Sequence, residues 1–532
     1  MGLLHLIVFW LLGSALEATV SCGAVNFQAR IQSECSFTRF PSLCRNTLME
    51  LRDHSTVHVV SALVNKTISE TRLPSSYFQT LSSQLETHDA HLAKSVTGYC
   101  ENLMKMSLKQ LDKSLLALKE SPKKNKNDIQ TWLSAALTFQ QACKDSADSL
   151  GLPAGEVNSQ ISSKMDYLSQ LVSNPLALVN RITSNSVKLK NNTRTRHLGE
   201  EVEDFPKWVS ARDRKLLQSG TIKANAVVAK DGTGNYKTIS EAIEAASGGR
   251  FVIYVKSGVY KEKIRTNKDG ITLIGDGKYS TIITGDDSVT GGSSMPASAT
   301  FTITGDGFIA RDIGFHNTAG PQGQQALALH IASDHSVLYR CSIAGYQDTL
   351  YALALRQFYR ECDIYGTIDF IFGNAAAVFQ NCYLVLRRPK GGAYNVILAN
   401  GRTDPGQNTG FSIQNCRITA SSDFSPVKHN FNSYLGRPWQ PYSRSVIMES
   451  NIDDAISSRG WIEWPDAKSY GKTLYFAEYL NTGPGAGTSN RVTWPGFHVV
   501  GAQEAVKFTV GNFIDGASWL PSTGVTFVSG LQ

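Results

Sequence analysis

Leu338-Tyr339-Arg340-Cys341-Ser342-Ile343 decides the fold, because the chain returns to it three times. The copies are Phe358 to Ile364 around Cys362, Phe379 to Leu384 around Cys382, and Ile413 to Ile418 around Cys416. Cys341, Cys362 and Cys382 are 21 and 20 residues apart, and Cys416 follows after a longer insertion. A short apolar-alternating strand at this period is the mark of a parallel β-solenoid. Asp348 and Asp369 are also 21 residues apart, so they fall at equivalent places on adjacent rungs. Neighbouring strands lie about 4.8 Å apart. Two carboxylates that close are costly unless the site does chemistry. Gln325 and Gln347, 22 residues apart, should stack in the same way.

A chain of 532 residues is too long for one ordinary core, so at least two domains are expected. With 42% hydrophobic and 18% charged residues it is globular. The net charge of +7 is modest and no dense basic run occurs, which argues against nucleic acid as a partner. A mildly basic surface does suit a polyanionic polymer.

Residues 1–25 read as a signal peptide: an apolar run from Leu3 to Leu12, then small residues at Gly13-Ser14-Ala15 and Ala18. The usual Lys or Arg ahead of the run is missing, and a signal anchor is the alternative. Asn65-Lys66-Thr67 and Asn191-Asn192-Thr193 are glycosylation sequons, consistent with secretion.

From 26 to 183 the pattern is helical. Leu103, Met106, Leu111, Leu115 and Leu118 recur near helical spacing with lysines between them. Asn127 or Asp128 can cap a helix carrying Trp132, Leu133, Ala136, Leu137 and Phe139. A further amphipathic run covers Val157 to Val172. Short connections between such helices predict an antiparallel four-helix bundle. In an exported chain, four cysteines here argue for disulfides. Cys35–Cys44 would staple short helices and Cys100–Cys143 would join two long ones. In cysteine spacing and helix order this region resembles the plant invertase and pectin-methylesterase inhibitor domain.

Residues 184–217 turn polar and charged, as a linker does. Near its end Arg214-Lys215-Leu216-Leu217 suggests proteolytic processing just before a new domain. From 218 to 532 the character is β, with short runs such as Val252–Val255, Ile271–Ile274 and Phe301–Ile303 between Gly, Asp and Asn. Tyr236 to Ala246 reads as one amphipathic helix that caps the open end of the solenoid.

Five segments then resemble the signature blocks of plant pectinesterases. They are Gly345-Tyr346-Gln347-Asp348-Thr349-Leu350-Tyr351, Gly366-Thr367-Ile368-Asp369-Phe370-Ile371-Phe372-Gly373, Leu435-Gly436-Arg437-Pro438-Trp439, Asn317-Thr318-Ala319-Gly320-Pro321 and Gln325-Ala326. The resemblance covers roughly residues 220–532 and implies a right-handed parallel β-helix that demethylates galacturonan through an acyl-enzyme. Carried onto this chain, Asp369 is the nucleophile and Asp348 the general acid, then the base. Gln347 and Gln325 hold the oxyanion, and Arg437 orients Asp369 and keeps it ionised. Tyr351, Phe372 and Trp439 fall at positions that resemble the family's sugar-contacting surface. The implied partners are methylesterified homogalacturonan, a processing protease at the linker and separate inhibitor proteins. The expected form is a monomer in the plant cell wall, without cofactor or metal, its bundle restraining the enzyme before processing. Spacing alone leaves Cys362 free to pair with Cys341 or Cys382, and the resemblance favours Cys362–Cys382.

The electrostatics agree with these roles. Of two carboxylates about 5 Å apart, one is expected to hold a proton and the other, beside a guanidinium, to stay charged. A retaining glycosidase also uses carboxylates at this spacing. Its cationic transition state gains nothing from two amide donors, so the glutamines favour an esterase. A catalytically silent pectin-binding protein would not need the dyad with Arg437. One departure from the family concerns Gly292-Ser293-Ser294-Met295-Pro296, where many relatives carry threonines that approach substrate; it leaves subsite preference open.

Overall fold

The computed structural model describes residues 28–49, 56–73, 77–83, 90–148, 156–182, 223–465 and 470–532. The signal-peptide and linker segments, Asn191 and the Arg214–Leu217 site lie outside the described residues. The chain divides into two compact units, one helical and one built mainly of β-strands.

The four long helices are Thr56–Thr71, Ala90–Glu120, Lys126–Asp148 and Glu156–Asn180, with short Pro41–Met49 and Tyr77–Ser83 beside them. Their apolar faces share one core that includes Leu63, Leu111, Leu133 and Leu176. In Ala90–Glu120 the buried stripe runs through Leu103, Ser107, Leu111, Ser114 and Leu118, while Met106 and Leu115 flank it half-buried. Ser114 tolerates burial because its hydroxyl donates to the Gln110 carbonyl one turn back, at 2.9 Å. The third long helix begins at Lys126, ahead of both predicted caps. The fourth runs eight residues beyond Val172, through Pro175. There the Asn174 side chain accepts from the Phe40 amide and donates to the Phe40 carbonyl, both at 3.2 Å. Cys35–Cys44 and Cys100–Cys143 are disulfides with Cα separations of 5.6 and 4.8 Å, inside the usual range. Asn65 is exposed on Thr56–Thr71.

The β unit is a three-sided parallel solenoid. Its sheets hold 11, 7 and 8 strands, and every strand pair is parallel. Each cysteine-bearing repeat is two strands, where the sequence had suggested one. Ser336–Tyr339 turns into Ser342–Ala344, Arg356–Arg360 into Asp363–Gly366, Ala376–Gln380 into Tyr383–Leu386, and Gly410–Gln414 into Arg417–Ala420. The corner is the residue before each cysteine: Arg340, Glu361, Asn381 and Asn415 have φ of 51°, 55°, 56° and 50°. A left-handed residue breaks the strand and swings the chain onto the next face, so the cysteine after it points into the core.

This corner corrects the predicted Cys362–Cys382 bridge. Cys341, Cys362, Cys382 and Cys416 are all buried free thiols. Each is a rung of one ladder, and side chains on parallel rungs stand side by side about 4.8 Å apart. A disulfide needs Cβ atoms that converge to about 3.5–4.5 Å. The sulfurs instead sit on backbone carbonyls, Cys362 on Leu338 at 3.3 Å and Cys382 on Tyr359 at 3.5 Å.

Inside the solenoid aromatic rings stack as well, Tyr359 on Phe379 at 4.3 Å between centroids. The helix Ile239–Glu244 caps the first rungs, burying Ile239, Ala242 and Ile243 in the same core. Thr238 and Glu241 close a reciprocal capping box at its start. At the other end of the chain, Val510, Ile514, Trp519 and Leu520 cover Val337, Phe358 and Val378 on the outside of the largest sheet.

Candidate active site

The seven-stranded sheet carries the site. Its strands Leu329–Ala332, Leu350–Ala354, Ile371–Gly373, Asn395–Asn400 and Ser433–Pro438 follow one another with pairs Leu329↔Leu350 and Leu350↔Ile371. Asp348 and Asp369 each stand two residues before a member of that row, so they occupy equivalent positions on adjacent rungs. Both are left-handed, with φ of 59° and 49°. Aspartate tolerates that conformation better than most residues, and it turns each carboxylate out of the core at the strand entrance.

A glycine stands three residues ahead of each aspartate for steric reasons. A Cβ at Gly366 would lie 2.1 Å from the Cβ of Phe370, and one at Gly345 would lie 2.8 Å from Thr349 Oγ1. The Asp348 amide donates to Ile368 O at 3.0 Å, tying one rung to the next. Arg387 holds the Gly345 carbonyl at 2.9 Å and lies over the Tyr346 ring at 3.8 Å.

Arg437 breaks the symmetry of the pair. Its Nε donates to Asp369 Oδ1 at 2.9 Å, and Nη2 donates to Oδ2. The three residues are buried, at 8% exposure for Asp348, 4% for Asp369 and 7% for Arg437. Burial, and then the charge of Asp369, pushes the Asp348 carboxyl well above the usual carboxylate range. Burial leaves Asp369 raised as well, but less, because the bonded guanidinium pulls it part of the way back. Asp348 is therefore the group that holds the proton and Asp369 the one that stays charged.

Gln325 and Gln347 form a parallel bridge, stacked one rung apart on the approach to Asp348. Both are half-buried, and among the described residues neither amide side chain makes a hydrogen bond. Tyr351 and Phe372 stack at 4.3 Å and 6° on the outer face of the sheet, and Trp439 inclines to Phe372 at 6.0 Å. All eight residues singled out from the sequence thus belong to one sheet and its entrances. A polar end able to attack and protonate adjoins an apolar aromatic floor.

Comparison with known proteins accords with this geometry. The pectinesterase family profile matches residues 225–517. The chain belongs to the pectinesterase family. Residues 29–178 match the plant invertase/pectin methylesterase inhibitor family. The chain is 51% identical over 527 residues to probable pectinesterase/pectinesterase inhibitor 54 of Arabidopsis thaliana, covering 96% of each chain. It is 49% identical to pectinesterase 2 of Citrus sinensis, covering 81% of each. Among solved structures, the pectin methylesterase from carrot superimposes with a TM-score of 0.58 at 52% identity, covering 59% of this chain and all of the carrot chain.

Three neighbours of the site in this pectinesterase escaped the reading of its sequence. Tyr394 accepts from Arg437 Nη1 at 2.9 Å. Trp464 lies against the guanidinium, 4.1 Å from ring centre to Cζ. His330 stacks on Tyr351 at 4.8 Å. Tyr394 sits in the insertion that lengthens the interval between Cys382 and Cys416, and a broken period was the signal that could have found it. Trp464 comes from a stretch with no repeat, and nothing local marks it.

Proposed function

We propose that this pectinesterase hydrolyses the methyl esters of cell-wall homogalacturonan to pectate and methanol through an aspartyl acyl-enzyme. The observation that carries the reading is the asymmetry of the dyad: two equivalent carboxylates on adjacent rungs, only one of them bonded to Arg437. An Asp369 oxygen attacks the ester carbonyl carbon, and the carbonyl oxygen takes the negative charge. The Gln325 and Gln347 amides are the free donors beside the dyad, suited to that oxyanion. One such donor is worth roughly 3–4 kcal/mol in a comparable hydrolase. As the tetrahedral adduct collapses, the bond to methoxide breaks and Asp348 supplies its proton. Water then gives a proton to Asp348 and attacks the mixed anhydride, and Asp369 leaves as carboxylate.

Tyr351, Phe372 and Trp439 serve as the platform for pyranose rings, an aromatic face suited to their C–H surface. The bundle, from its family match, acts as an inhibitor of the esterase until the chain is cut after Leu217. The enzyme works outside the cell as a monomer, glycosylated at Asn65 and Asn191.

Asp369→Asn tests the reading, because an amide cannot form the acyl-enzyme. The folded variant should release almost no methanol from methylated pectin. Near-normal release would remove Asp369 as nucleophile.

A further inference from the structure

Arg437 reaches Asp369 across a whole strand. Ile371, Leu398 and Gly436 are partners on three successive strands, so Asn395–Asn400 separates the aspartate's rung from the arginine's. Two rung steps come to about 10 Å, so the side chain has to lean along the sheet to meet its partner. On the middle strand Ala399 pairs with both Phe372 and Arg437, and its single methyl leaves the passage open. A side chain as rich in rotamers as arginine keeps one such posture only where its surroundings fix it.

Two residues outside the dyad fix it. Nε and Nη2 both go to the Asp369 carboxylate, and Tyr394, directly ahead of the middle strand, accepts from the remaining nitrogen, Nη1, at 2.9 Å. The Trp464 indole covers the guanidinium, 4.1 Å from ring centre to Cζ. The Tyr394 ring is itself set by Tyr434, edge-on at 6.2 Å and 80°. The charges around the group matter as well. Asp369, Tyr394 and Asp348 are the titratable groups that act on Arg437, and Asp348 attracts it through space without a hydrogen bond. Arg459 and Glu463, the charges that act on Tyr434 nearby, are bonded to each other. A guanidinium released on its outer side therefore has one alternative carboxylate to turn toward, that of Asp348.

We propose that Tyr394 is a positioning residue of the esterase, whose phenol oxygen holds the outer nitrogen of Arg437 so that the guanidinium fork faces Asp369 alone. It acts through Arg437 and not on the ester. With the fork fixed, the positive charge serves one carboxylate of an otherwise equivalent pair. With the fork loose, the charge is shared between the two. Asp369 then takes up a proton more readily and Asp348 gives its proton up more readily. Turnover needs Asp369 ionised and Asp348 protonated, so the acidic limb of the pH profile moves up and the alkaline limb moves down.

This proposal rests on the esterase reading, and the test separates the two. Protein secreted from the full chain is prepared as wild type, Tyr394→Phe, Arg437→Ala and the double variant. Methanol release from methylated pectin is followed against pH, and kcat and KM are taken separately. Tyr394→Phe keeps the ring against Tyr434 and removes only the acceptor. Its kcat should fall about tenfold at the optimum, the worth of one hydrogen bond to a charged group. KM should change little, and the profile should narrow from both sides. In the Arg437→Ala background the same substitution should change nothing further, because the group it acts through is gone. Wild-type limbs in Tyr394→Phe, or an additive loss in the double variant, would overturn the positioning role while leaving the esterase standing. A raised KM with unmoved limbs would overturn it too, making Tyr394 a contact of the polymer. No methanol from the wild type would remove both.

Discussion

At the scale of single residues, Arg437 does most to turn a repeat into a site. Asp348 and Asp369 are equivalent by backbone position, and each would be driven toward its neutral form by burial. The guanidinium on Asp369 alone assigns the proton to Asp348. Arg437→Ala should therefore let Asp369 take up a proton, moving the acidic limb of the activity profile to higher pH. The defect in kcat/KM should ease as pH rises, and a pH-independent loss would show that Arg437 acts only by position. The dyad also carries a stability cost. A carboxyl whose pKa is raised on folding binds its proton more tightly in the native state, so its contribution is full below the unfolded value and lost as pH climbs through the folded one. Asp348→Asn removes that loss. Its Tm should exceed the wild type's at neutral pH and converge with it in acid, while methanol release falls about 10²–10⁴-fold. A lower Tm at neutral pH would contradict the assignment of the strained group.

At the scale of the elements, the corner before each cysteine sets where one sheet ends and the next begins. Asn381 and Asn415 suit the left-handed conformation by residue type, and the Asn415 amide also donates to the Asn381 side chain at 3.0 Å. A β-branched residue there meets its own backbone. Asn381→Val should cost about 1–3 kcal/mol in urea unfolding, whereas Asn381→Gly should cost little, since glycine enters that region freely. Equal effects of the two substitutions would mean that the ladder of side chains, not the backbone angle, matters at this corner. The repeat itself was legible because core positions recur every 20 or 21 residues. The bend was not, because Arg340 and Glu361 are poor advertisements for a left-handed residue, and only the closure of the solenoid forces them into it.

At the scale of the whole molecule, a helical unit and a solenoid stand in one chain with a charged segment of sequence between them. The Arg214-Lys215-Leu216-Leu217 site predicts a working enzyme that begins near Gln218. N-terminal sequencing of protein extracted from the wall should find that start. A start near residue 26 would make the bundle a permanent part of the enzyme.

By itself the sequence determined the solenoid, the bundle with its two disulfides, the aspartate pair, the stacked glutamines and Arg437. All of these follow from a period or from a motif short enough to be read along the chain. Only the tertiary structure decided the state of the four solenoid thiols, since pairing depends on the angle between Cβ vectors, which spacing does not encode. It also supplied the contact by which Arg437 reaches Asp369, a guanidinium 68 residues away from it in sequence. Tyr394 and Trp464 came to light for the same reason. Parallel stacking brings residues from separate rungs together on one face, and a linear reading has no term for that.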